Sequence, residues 1–66
     1  MSKNDFRTFF ASVKPFIKMS FFLRRAGIAP STFYMFMQSE HQNYQISEER
    51  LKALYDDVCR TLANIA

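Results

Sequence analysis

Apolar residues along this chain recur with the period of a helix, not of a strand. Phe6, Phe9, Phe10 and Val13 lie three, one and three residues apart, which puts them on one stripe of a first helix. Ser2 or Asn4 is suited to cap it, with Asp5 in the first turn, where the helix dipole favours negative charge. Pro15 ends or kinks this helix, because its ring clashes with the carbonyl of Ala11. Phe16 and Ile17 are expected to carry the apolar surface across the connection. Ser20 reads as the cap of a short second helix reaching about Ala26, and Gly27 suits the left-handed backbone that ends it. Pro30 fits the first turn of a third helix, which runs through Phe33, Phe36 and Met37 to Gln38 or Ser39. Residues 39–45 have no periodic apolar signal and read as a polar loop. Ser47 then caps the clearest helix, with Glu48 and Glu49 in its first turn. Its stripe is Leu51, Leu54, Tyr55, Val58, Leu62 and Ile65, with Arg50, Asp56, Asp57 and Arg60 opposite. No segment repeats, and none alternates as a strand does. The expected architecture is all-α: a compact four-helix domain.

Composition narrows this further. A chain of 66 residues holds a single domain. Eight Phe and three Tyr supply bulky core material. Cys59 is the one cysteine, so no disulfide forms within the chain, which fits a reducing cytosol. Cys59 itself reads as a small apolar helix residue. With His41 the one histidine, a zinc site within the chain is not expected, and no cofactor is called for. No run approaches the roughly 18 apolar residues of a membrane span. The N-terminal stretch carries scattered charges and no uninterrupted apolar core, unlike a signal peptide. The expectation is a soluble, cytoplasmic protein without a membrane partner. The net charge of +3 is unevenly spread. Residues 1–38 hold Lys3, Arg7, Lys14, Lys18, Arg24 and Arg25 against Asp5, while acidic residues outnumber basic ones in residues 39–66. Such a split suggests one face for a polyanion and another for something else.

The main functional signal lies in residues 19–38, where two short helices meet at a turn containing Gly27. Phe22, Ala26, Ile28, Phe33 and Phe36 sit at offsets from that glycine that would form one shared inner face. Here the chain resembles the phage-repressor-like, or Cro/CI-type, helix-turn-helix family. The resemblance spans Phe16 to about Leu62, and the run Ala26-Gly-Ile-Ala-Pro-Ser-Thr-Phe-Tyr is most like the turn and recognition helix of small regulators from bacteria, phages and mobile elements. Four residues before the glycine the family usually carries a small residue, whereas this chain has Leu23. Either the helices cross farther apart or the register differs by one.

The resemblance implies a sequence-specific DNA-binding transcriptional regulator whose third helix enters the major groove of double-stranded DNA. Its outward residues would then read bases: Ala29, Ser31, Thr32, Tyr34, Met35 and Gln38. Gln38 suits adenine, Tyr34 and Met35 suit a thymine methyl, and Ser31 and Thr32 suit bases or phosphates. The alternative reading of Ser31 or Thr32 is a helix-start cap. Because this surface lacks Arg and Lys, phosphate contacts fall to Lys14, Lys18, Arg24 and Arg25 around helix two. His41 and Asn43 follow the recognition helix in the loop where the family often touches the backbone. One small domain covers little DNA, so a homodimer on paired half-sites is expected. The C-terminal helix is the candidate contact, through Tyr55, Cys59, Leu62 and Ile65.

No enzyme constellation is visible: there is no Gly-rich phosphate loop, no HExxH, and no nucleophile with an evident base. Adjacent Asp56 and Asp57 point in different directions on a helix and read as solvated charges. The alternative to DNA binding is a small helical protein–protein interaction module, an antirepressor or adaptor, using Phe21, Tyr34, Met35 and Met37. What separates the two is whether Lys14, Lys18, Arg24 and Arg25 lie on the same side as Ser31 and Gln38.

Overall fold

A capping box opens the first helix. In the computed structural model, which describes residues 1–65, Ser2 accepts from the Asp5 backbone N–H and Asp5 accepts from that of Ser2. The bond from the Ser2 backbone is the main reason the Asp5 carboxyl is held below its ordinary range. Helix α1 (Lys3–Val13) ends two residues before Pro15, and a single 3-10 turn, Lys14–Phe16, follows. Helices α2 (Met19–Ala26), α3 (Pro30–Gln38) and α4 (Glu48–Ile65) complete an all-α domain, with no strand among the described residues.

The α2–α3 corner is closed by its own backbone. Gly27 stands in the left-handed region at φ 71°, its N–H bonding the Arg24 carbonyl and that of Ile28 the Leu23 carbonyl at 2.9 Å. These paired bonds, with Ile28 and Leu23 both buried, form a Schellman motif, which satisfies carbonyls that a helix end leaves open. A Cβ at Gly27 would meet no atom within 4 Å. What glycine avoids here is thus backbone strain of about 1–2 kcal/mol, not a clash. Arg50 of α4 donates to the Gly27 carbonyl at 2.9 Å and ties the corner to the last helix. The glycine register is as the sequence implies, and Leu23 is a core residue, 2% exposed.

Phe10, Phe33, Phe36, Leu51, Leu54 and Val58 are fully enclosed, so α1, α3 and α4 share one centre. Phe10 and Phe33 meet edge to face at 5.8 Å between ring centroids. Met19, Phe22, Leu23, Ile28 and Ile46 extend this core through α2 and the connections. The predicted inner face of the corner is in place, with Phe22, Ile28, Phe33 and Phe36 buried and Ala26 half-buried.

Several local expectations are corrected. Phe16 is 84% exposed: the 3-10 turn ends on it, and the extended Ile17 turns back to the core in its place. Ser20 does not cap α2; Lys18 holds the N-cap position, and no side-chain bond is made there. Residues 40–45 are not an irregular loop but a 3-10 helix, Glu40–Gln45. Lys3 donates to the Asn43 carbonyl at 2.9 Å, and Arg7 to the Asn43 side chain, pinning this polar stretch to α1. Ile65 is exposed, because the α4 stripe outruns the helices packed against it. Asp57 faces inward to Arg25, 3.1 Å away, and is not a solvated charge.

Candidate nucleic-acid interface

Helix α3 is anchored by Phe33 and Phe36, whose burial fixes which of its residues face out. Ala29, Ser31, Tyr34, Met35 and Gln38 are exposed, and Thr32 is half-buried. The N-cap is Ala29, whose side chain offers no capping bond, and neither Ser31 nor Thr32 takes over that role. The exposed Ser31 hydroxyl is therefore open to a ligand, while Thr32 is half-buried. Tyr34 is 54% exposed and Met35 38%, a large apolar presence on a face otherwise made of small polar groups.

The expected phosphate contacts divide into three groups. Lys14 and Arg24 stand beside α3. The Lys14 ammonium lies 4.7 Å from the centroid of the Tyr34 ring, and Arg24 lines a shallow groove with Ser20, Ala29 and Pro30 at the start of the helix. Lys18, at the N-cap of α2, and His41 are exposed, without an ion pair or ring contact among the described residues. Arg25 and Asn43 are committed elsewhere. Arg25 pairs with Asp57 and lies 5.3 Å from the Phe21 ring, on the flank of α2 that faces α4. Asn43 is half-buried, with its side-chain oxygen and its carbonyl taken by Arg7 and Lys3.

Arg7 is the side chain positioning α3 that the sequence pattern conceals. It donates to the Phe36 and Ser39 carbonyls, each at 2.9 Å, and to the side chains of Asn4 and Asn43. Its guanidinium also covers the Phe36 ring at 4.5 Å. Helix α3 has no basic residue in its own last turn, so Arg7 supplies the cation that the negative end of the helix favours. Apart from Asn4, its partners lie 29 to 36 residues away, beyond the reach of any local motif. That missing basic residue is the one sequence feature that points to such a need.

On α4, Tyr55, Cys59 and Leu62 are half-buried and Ile65 is exposed, leaving an apolar edge beside α1. Tyr55 packs edge to face on Phe9 at 4.7 Å and on Phe6 at 5.8 Å. A side-chain hydrogen bond with Cys59 is the main reason its phenol is held above the ordinary range. Among the described residues no three His, Cys, Asp or Glu side chains come together as a metal site, and no helix is long and apolar enough to cross a membrane. Comparison with known proteins adds no relative to set beside this geometry, since no family model, curated protein or solved structure matches the chain.

Proposed function

We propose that this chain binds double-stranded DNA as a small cytoplasmic transcriptional regulator of the helix-turn-helix kind, with α3 in the major groove. The observation that carries this is the flanking of the exposed α3 face by Lys14 on one side and Arg24 at its start. Ser31, Thr32 and Gln38 offer hydrogen bonds to base edges, and Tyr34 and Met35 offer apolar contact to thymine methyls. Phosphate neutralisation would fall to Lys14, Arg24 and Lys18, with His41 offering a hydrogen bond to the DNA backbone. Arg25 and Asn43 stand apart from these, since Asp57 already offsets the Arg25 charge and Arg7 holds the Asn43 side-chain oxygen.

Fluorescence-anisotropy titration with mixed-sequence duplex DNA, at low and then physiological salt, tests this. Binding should weaken steeply as salt rises. Replacing Lys14 and Arg24 together by alanine should weaken it alike on all sequences and reduce the slope of log K against log salt by about 2, roughly one per lost phosphate contact. No binding at low salt overturns the proposal and favours the protein-interaction module, with Tyr34 and Met35 as its contact surface.

A second copy would pair through the apolar edge of Tyr55, Cys59, Leu62 and Ile65, setting two recognition helices on successive half-sites. Sedimentation equilibrium at high concentration should give twice the chain mass. A strictly monomeric chain removes the dimer and leaves the DNA contact standing.

A further inference from the structure

Phe16 is the most exposed large apolar residue of the described chain, at 84%. Its position is not the loose end of a segment. Pro15 fixes the backbone of the 3-10 turn, and Val13 before it and Ile17 after it both pack against the core. The ring thus stands out in water on a turn whose two ends are anchored in the core. Lys14 and Lys18 stand two residues to either side, both exposed. Lys14 also reaches the Tyr34 ring, so the turn stands beside the outward face of α3.

An aromatic ring between two cations suits a partner that is both a polyanion and rich in flat apolar faces. Nucleic-acid bases have that chemistry. An acidic lipid surface would match the charge, but Ser31, Thr32 and Gln38 on the neighbouring face call for hydrogen bonds that an acyl layer does not provide. We propose that Phe16 is a wedge of the DNA interface, inserting at the edge of the site beside a base step that it partly unstacks, with Lys14 and Lys18 on the flanking phosphates. This presupposes the DNA binding proposed for α3. It adds a contact that deforms the duplex, and with it a preference for flexible pyrimidine–purine steps.

The test uses duplexes carrying 2-aminopurine at pyrimidine–purine steps, titrated with the wild-type chain and with Phe16→Ala. Phe16 lies outside the core, so far-UV circular dichroism should confirm that the variant is folded. The wild type should raise 2-aminopurine fluorescence on binding, while Phe16→Ala should bind about ten-fold more weakly without the rise. If both bind equally and fluorescence responds alike, the wedge is wrong and DNA recognition by α3 stands. If the wild type binds no duplex at low salt, both proposals fall together. If Phe16→Ala keeps its DNA affinity but loses binding to phosphatidylserine vesicles, the ring belongs to a lipid contact and the wedge is overturned.

Discussion

Replacing Phe36 by alanine should leave the domain largely unfolded at room temperature. Phe36 is fully enclosed, and its ring lies between the shared core and the Arg7 guanidinium. Truncating a buried phenylalanine costs about 3–5 kcal/mol, the loss of transfer energy being compounded by the cavity left behind. A domain of 66 residues has about 3–10 kcal/mol to lose, and small domains lie toward the low end. Urea unfolding followed by far-UV circular dichroism should show no folded baseline, or a midpoint close to zero. A stability change below about 1 kcal/mol would mean that α3 is not seated on Phe36. The same substitution at Phe16 should shift stability by no more than about 0.5 kcal/mol, because that ring is already in water. One change of residue type, set by burial alone, thus separates support of α3 from display beside it.

That contrast also marks what could be seen in the chain before its structure. Pro15, Gly27, Pro30 and Ser47 act on their own backbone, so the punctuation they provide located the helices well. The inner face of the corner was legible for the same reason, since Phe22, Ile28, Phe33 and Phe36 are fixed by offset from one glycine. The ends of stripes were not. Phe16 and Ile65 continue an apolar period, but burial needs a partner opposite, and periodicity says nothing about where that partner stops. Charge was the least legible quantity. Arg7, Arg25 and Arg50 look alike in a count, yet each serves the fold through a group 23 or more residues distant. Of the basic front half, Lys14, Lys18 and Arg24 remain turned to solvent and, among the described residues, free of ion pairs. The candidate interface is accordingly narrower than composition implies, and it lies closer to α3.

Arg7 is where that distinction between structural and binding charge can be measured. Arg7→Met should destabilise the fold by about 2–3 kcal/mol, since it removes several charge-assisted hydrogen bonds and the contact with the Phe36 ring. Arg7→Lys should recover little of this. An ammonium keeps the charge but cannot reach, from one point, the Phe36 and Ser39 carbonyls and two asparagine side chains that the planar fork bridges. Were Arg7 a phosphate contact, lysine would preserve both stability and salt-dependent DNA binding. Urea denaturation separates the two cases: lysine and methionine variants equally destabilised indicate a clamp, and a lysine variant as stable as the wild type indicates charge alone. The clamp also predicts where the fold should loosen first. With Arg7 gone, the last turn of α3 and the 3-10 helix that follows lose their tie to α1, so amide exchange should quicken across residues 36–45 before it does in α4. Gln38 lies in that stretch. If α3 reads DNA as proposed, a fraying C-terminal turn would blur base reading at its end of the site while leaving contacts at the Ser31 end intact, an effect on binding from a residue that serves the fold.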